Sequence, residues 1–255
     1  MKAIILAGGL GTRLQEETGI KPKPMVEIGG QPMLWHIMKI YDSFGVDQFG
    51  IAMGYKANVI RNYFTNYYYQ HSDMSINLRN GEINPINGNA EDWKVFLADT
   101  GINTQTGGRL KRMQPWVGEQ TFCYTYGDGV ADIDINKLLA FHKQQGKIAT
   151  ITAVRPPSRF GGLEIEGNLV TRFIEKPQIG EGWINGGFMV LEPKVFDYID
   201  GDDVYFERGP LESLAAEHQL AVYKHEGFWQ CMDTIREMQL LESLWESGNA
   251  PWKTW

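Results

Sequence analysis

Ala3-Ile-Ile-Leu-Ala-Gly-Gly-Leu-Gly-Thr-Arg-Leu14 is the stretch from which the rest of this chain is read. Ala3 to Ala7 is an unbroken apolar run, which predicts a short strand buried on both faces, because a strand with one wet face would alternate. Gly8-Gly9 and Gly11 then turn the chain sharply. Glycines at such a place let the backbone pass close to a ligand and leave amide N–H groups for phosphate oxygens, while a plain tight turn remains the competing explanation. The turn is not a P-loop, since no Gly-Lys-Ser/Thr follows at the required distance. It is also a poor dinucleotide fingerprint, with Leu14 where a third glycine belongs.

Working outward, apolar residues at 37, 38, 40, 41 and 44 predict a helix over 35–44. A strand over 48–53 and a helix through 58–69 follow. Buried strands are expected near 93–98 and 121–126, a helix over 135–145, and strands over 148–154 and 185–191. A hairpin over 162–174 would turn at Glu166-Gly-Asn168, and a last helix would cover 233–246. The polar stretch Asn80–Asp92, with Gly81, Pro85 and Gly88, reads as a surface excursion. Strand alternating with helix predicts an α/β fold. The expected arrangement is Rossmann-like and three-layered, a mixed but mostly parallel sheet with helices on both faces and its ligand beyond the carboxyl ends of the strands. The 255 residues are expected to form one domain with an embedded second lobe after about residue 150.

Charge narrows the partners. Lys+Arg 24 against Asp+Glu 31 leaves −7, which argues against nucleic acid or an anionic membrane as the main partner but leaves room for small anions at a local basic cluster. Such a cluster is present: Thr12-Arg13 in the turn and Lys21-Pro-Lys-Pro24 ten residues on. Arg supplies a bidentate fork and Lys a point charge, the usual pair for a polyphosphate, although a solvated basic turn would look the same. Two cysteines are too few for a disulfide framework, and Cys123, in a strand-like run, reads as a buried inert thiol. The apolar run at the start is too short for a signal-peptide core or a membrane span, so a cytoplasmic protein is expected.

Gly8-Gly-Leu-Gly-Thr-Arg-Leu14 with Lys21-Pro-Lys-Pro24 resembles the signature of the sugar-1-phosphate nucleotidyltransferases. The likeness runs nearly end to end. It includes Lys21–Gly30, Trp35-His-Ile-Met38, Asp99-Thr-Gly101, Thr106-Gly-Gly-Arg-Leu-Lys-Arg112 and Tyr126-Gly-Asp-Gly-Val-Ala-Asp132, then Glu175-Lys-Pro177, Ile184-Asn-Gly-Gly-Phe188 and Pro251-Trp-Lys-Thr-Trp255. The Thr-Gly-Gly-Arg loop and the Trp-rich tail resemble the cytidylyl branch. The resemblance implies transfer of the cytidylyl group of CTP to glucose 1-phosphate, giving CDP-glucose and pyrophosphate, with a nucleotide-binding half before about residue 150 and a sugar-binding lobe and helical tail after it. The alternatives are the same reaction with another base or sugar 1-phosphate, as in a thymidylyl- or uridylyltransferase, and a regulatory homologue without turnover.

Residue by residue, the resemblance implies that Leu6, Ala7, Gly8, Gly9, Gly11 and Thr12 cradle the nucleotide, with Thr104 and Arg109 near its base or ribose. Arg13 and Lys23 would stabilise the triphosphate as pyrophosphate leaves. Asp128 and Asp233 would hold Mg²⁺, which takes one or two protein carboxylates and completes its shell with phosphate and water. Locally, Asp128 could equally belong to an Asp-Gly turn, Asp233 could cap the last helix, and Thr106 could be a helix cap with Arg109 exposed. Glu175, Lys176, Asn185 and Gly186 would form the sugar-phosphate site, Lys176 pairing with the phosphate. Asp132-Ile-Asp134 offers a rival, the metal motif of nucleotide-sugar glycosyltransferases, though both aspartates also precede a helix where caps are expected.

Two departures from the family pattern stand out: Cys231 where the family has proline before the second metal aspartate, and the segment Asp203–Leu211. None of the five histidines has ligand spacing. The cluster Tyr63-Phe64 and Tyr67-Tyr-Tyr69 fits core or subunit interface, and Trp245, Trp252 and Trp255 are expected to pack against a neighbour. The resemblance implies a homo-oligomer, with a hexamer among its candidate states.

Overall fold

Ala3, Ile5 and Ala7 point into one hydrophobic cluster and Ile4 and Leu6 into another, so the first strand, β1 (Lys2–Ala7), is buried on both faces, as its unbroken apolar run requires. The computed structural model describes residues 1–11, 14, 18–156, 162–166, 169–174 and 182–255.

β1 sits inside an eight-stranded sheet. On one side it pairs in parallel with β2 (Gln48–Met53), which pairs in parallel with β3 (Lys94–Asp99). On the other side it pairs in parallel with β4 (Phe122–Tyr126). β5 (Ala149–Val154) carries two short antiparallel strands on one edge, β6 (Ile184–Asn185) and β7 (Met189–Leu191), and β8 (Leu220–His225) in parallel on the other. β7 closes the sheet against β4. Only the β6–β7 stretch runs against the remaining strands, which makes the sheet mixed and mostly parallel. The chain moves outward from β1 to β3, then returns to the far side of β1 for β4. That reversal leaves a crevice at the carboxyl ends of β1 and β4.

Helices cover both faces. α1 (Met33–Asp42), α2 (Ala57–Gln70), α5 (Ile135–Gln145) and α7 (Ile235–Glu246) contribute to the cluster that holds Ile5. α3 (Thr106–Arg112), α4 (Gln114–Val117) and α6 (Pro210–Ala216) contribute to the cluster that holds Ile4.

Several expectations shift. α1 starts at Met33 rather than 35, directly after Pro32, whose fixed φ suits a helix entrance. β3 is not fully buried: it is the sheet's edge, and only its inward residues are shielded. The single strand expected over 185–191 is broken into β6 and β7 by Gly186-Gly-Phe188, with Gly187 at φ 77° and Phe188 at φ 44°. The hairpin over 162–174 is present, with Gly162–Glu166 antiparallel to Leu169–Ile174. The excursion near 80–92 is partly an ordered exposed hairpin, Asp73–Asn77 against Glu82–Ile86.

The Trp tail does not need a neighbour. Trp252 is 1% exposed and packs within its own chain on His36, Phe228 and Trp245, and Trp255 lies against Trp35. Tyr67 is buried with them on the α2 side, while Tyr68 and Tyr69 are exposed.

Candidate active site

The crevice predicted by the strand order is a cleft of about 640 Å³. One wall is the turn after β1, residues 6–11; another is the loop after β3, including Thr104 and Thr106; Tyr126 and Asp128 close it from the end of β4. Gly127 has a steric reason to be glycine. A Cβ there would lie 2.4 Å from the Leu6 carbonyl oxygen and 2.8 Å from Pro24, so only glycine lets the end of β4 press against the end of β1.

Three charges meet at this cleft. Lys23 Nζ lies 2.7 Å from an Asp128 oxygen and also pairs with Asp233. Burial lowers the lysine pKa, but the two carboxylates outweigh it and the net shift is upward, so the ammonium stays charged. The elements that converge are distant in sequence. Lys23 opens a single 3₁₀ turn, Lys23–Met25, whose neighbouring prolines hold the backbone. Gly129–Ala131 pairs with Trp229–Cys231 as a small antiparallel ladder, and the Met232 amide donates to the Asp128 carbonyl at 2.8 Å, which draws residue 233 to residue 128.

Asp233 is not the cap of α7. Thr234 is, accepting from the Glu237 amide, while Glu237 accepts from the amides of Thr234 and Asp233 at 2.9 and 2.7 Å. The capping box therefore fixes Asp233, two residues beyond Cys231. The Cys231 thiol is pushed up to about 12 by burial and the surrounding carboxylates, which leaves it protonated beside the site.

Two hard oxygen donors aimed at one cationic point are a donor set for a divalent cation that keeps phosphate and water in the rest of its shell. Among the described residues no group of three or more His, Cys, Asp or Glu could hold a metal by itself. The pair fits an open, substrate-completed site.

Arg109 is 4% exposed, and its guanidinium is spent on the protein. It donates to the carbonyls of Gly8, Met53, Gly101 and Ile102 and to the Thr100 hydroxyl, at 2.7 to 3.2 Å. One side chain thus ties together the loops that leave β1, β2 and β3. Gly8 is shaped by this group: a Cβ at 8 would lie 2.2 Å from Arg109 Nη1. The alternative of an exposed Arg109 does not hold, and Thr106 is the first residue of α3, with Gln105 at the cap.

The Thr106-Gly-Gly-Arg109 motif acquires a physical reading. A Cβ at Gly107 would meet the Val204 carbonyl at 2.7 Å, and one at Gly108 would meet the Asp202 Cα at 2.5 Å. The glycines admit the 202–206 backbone, which is bonded there through the Gln105 and Gly107 amides and by the Arg112–Asp202 fork.

Asn185 lies at the end of β6. Its Oδ1 accepts from the Gly187 amide at 3.0 Å, and its Nδ2 donates to the Tyr126 hydroxyl at 3.3 Å. Gly186 packs on Val154 and accepts from Trp229 Nε1 at 2.8 Å. Thr12, Arg13, Glu175 and Lys176 lie outside the described residues. Sequence reading passed over Tyr126, Glu207 and Glu237 as site groups. Tyr126 was visible as a strand end next to Asp128, whereas Glu207 had no local signal, since its partners are about 80 and 100 residues away.

The rival Asp132-x-Asp134 motif dissolves into structure. Asp134 caps α5, accepting from the Lys137 amide at 2.9 Å, and Asp132 pairs with His225 at 2.9 Å.

Comparison with known proteins bears on the family and the fold. The family described as nucleotidyl transferase matches residues 2–234. The chain is 53% identical over 256 residues to glucose-1-phosphate cytidylyltransferase of Salmonella typhi, covering 100% of both chains. It is 29% identical to the mannose-1-phosphate guanylyltransferase catalytic subunit beta of Dictyostelium discoideum, covering 90% of this chain and 60% of that one. Among solved structures, UDP-glucose pyrophosphorylase complexed with UDP-glucose matches with a TM-score of 0.69 at 16% identity, over 97% of this chain and 98% of that one, a likeness of fold.

Proposed function

The chain belongs to the nucleotidyl transferase family, in its glucose-1-phosphate cytidylyltransferase branch, and we propose that its cleft joins CTP to glucose 1-phosphate by bringing the sugar phosphate in line with the α-phosphorus. A bond forms from that phosphate oxygen to the α-phosphorus as the bond to the β-phosphate oxygen breaks. CDP-glucose and pyrophosphate leave. A phosphate is already a nucleophile at neutral pH, so the barrier lies in alignment and in the repulsion between two anions.

The observation that carries this reading is the charged Lys23 ammonium between Asp128 and Asp233 at the mouth of a cleft walled by residues 6–11. Lys23, together with Arg13, holds the triphosphate and neutralises charge that grows on departing pyrophosphate. The amides of the turn after β1 cradle the phosphates. Thr104 borders the nucleoside, and Arg109 serves it by fixing the loop carbonyls around it. Glu175, Asn185 and Gly186 border the sugar, and Lys176 pairs with its phosphate. The family's reaction generally uses a divalent metal; Mg²⁺ held by Asp128 and Asp233 would screen the phosphate charges and orient them.

Pyrophosphate release with glucose 1-phosphate and Mg²⁺ tests the assignment, with CTP, UTP, dTTP, ATP and GTP compared side by side. Strong preference for CTP is the expected result. Turnover led by another nucleotide would overturn the base assignment, and silence with all five would overturn the sugar.

We also propose a homo-oligomer. The hairpin of residues 73–86 supports it: Met74, Ile76 and Ile83 stand on one face of the ladder at 39 to 49% exposure. A cytoplasmic setting is supported by the free thiols of Cys123 and Cys231. No helix among the described residues is long and apolar enough to cross a membrane.

A further inference from the structure

We propose that Glu207 is a positioning residue for the sugar 1-phosphate, acting through the Tyr126 hydroxyl on the Asn185 amide; this rests on the assignment of Asn185 to the sugar side. Glu207 belongs to the segment Asp203–Leu211. That segment reaches the cleft-lining Tyr126 and Thr106 because Gly107 and Gly108 let its backbone lie against the start of α3.

The argument is one of hydrogen-bond polarity. An ionised carboxylate only accepts. Glu207 Oε1 lies 2.7 Å from the Tyr126 hydroxyl, and Oε2 lies 2.6 Å from the Thr106 hydroxyl, so both hydroxyl hydrogens must point at Glu207. Thr106 Oγ1 then accepts from the Phe206 amide at 2.9 Å. Tyr126, with its hydrogen committed, can only accept from Asn185. The amide therefore turns Nδ2 toward Tyr126 and Oδ1 toward the Gly187 N–H, the one orientation in which no two donors face each other. Among the described residues, one N–H and one carbonyl lone pair of Asn185 remain for a ligand, both with fixed direction. The Gly187 N–H already asks for Oδ1, and Glu207 adds the second constraint by holding the Tyr126 hydroxyl as an acceptor for Nδ2, so one polarity runs from the loop beside the nucleotide, through a cleft-lining tyrosine, to the sugar side.

The test compares E207A, E207Q and Y126F with wild type, measuring KM for sugar 1-phosphate at saturating CTP and the Kd for CTP alone by titration. Loss of a hydrogen bond to a charged group predicts a rise in sugar 1-phosphate KM of roughly tenfold or more in E207A and Y126F, with CTP Kd within about twofold. E207Q retains one acceptor for Tyr126 and recovers most of the loss. E207A/Y126F is no worse than either single variant, since both cut one chain. A CTP Kd that rises in step with the sugar KM, a lowered melting temperature with unchanged KM, or additive losses in the double variant would each overturn the proposal. Should E207A not fold, Y126F and E207Q decide the matter alone. Wild-type turnover of glucose 1-phosphate in the same assay reports on the reaction itself, so its failure is distinguishable from a failure of the Glu207 assignment.

Discussion

Lys23 and Arg109 show how two cations in one cleft do different work. Among the described residues the Lys23 ammonium meets carboxylates alone, so its charge can be transferred to an incoming anion by a small movement of a flexible stem. K23M is expected to lower kcat by about 10²- to 10³-fold, the usual loss when one stabilising donor is removed from a developing anion; steady-state kinetics with the melting temperature unchanged checks this. Arg109 meets four carbonyls and the Thr100 hydroxyl, and its departure would take a donor from each of them, the Gly101 and Ile102 carbonyls included. R109K retains charge but not the fork, and is expected to cost about 3 kcal/mol of stability and to raise the CTP KM far more than the sugar 1-phosphate KM. Denaturant unfolding and KM values for both substrates decide; full stability with an unchanged CTP KM contradicts the role.

At the scale of elements, much of this fold was legible in the residues. β1 and β2 were marked by apolar runs, α5 by its periodicity, and the crevice by the alternation of strand and helix. What periodicity could not show was which strand ends as an edge, because burial of β3 depends on what pairs with it. The cap of α7 was legible and was missed: three residues beyond Asp233 stands Arg236, whereas three beyond Thr234 stands Glu237. The reciprocal bond from Glu237 is the one the structure shows. T234A is expected to lose about 1 kcal/mol. E237Q is expected to weaken divalent-cation binding, read by Mn²⁺ titration, because Glu237 also holds the Asp233 amide. Residues joined across the fold, such as Glu207 and Tyr126, have no sequence signal of this kind.

Across the whole molecule, the tail is bound to the first half at His36. His36 is fully buried among Trp35, Trp245 and Trp252, with Nε2 on the Ile28 carbonyl at 2.8 Å, and burial lowers its pKa from 6.5 to about 4. The unfolded chain therefore takes up this proton first. His36 contributes its full share above pH 6.5, and that share falls as pH drops toward 4, by roughly 3 kcal/mol in total. Urea unfolding of wild type and H36N between pH 7 and pH 4.5 should converge as the pH falls; parallel curves would contradict the assignment. For the exposed hairpin, I76E/I83E is expected to shift sedimentation toward the monomer at micromolar concentration, and an unchanged mass would remove this face from the interface.

The guanidinium beneath the first turn also binds three positions into one inherited unit. Gly8 and Gly54 each leave a gap that Arg109 fills, with Nη1 2.2 and 2.3 Å from where their Cβ atoms would stand. A lineage that gains a side chain at 8 or 54 first collides with the arginine, and one that loses the arginine first takes a donor from five oxygens, among them the Gly101 and Ile102 carbonyls. Either order of single steps passes through a damaged ancestor. Substitutions at 8, 54 and 109 should therefore be found together or not at all, and a library randomised at these three codons should return them as linked survivors.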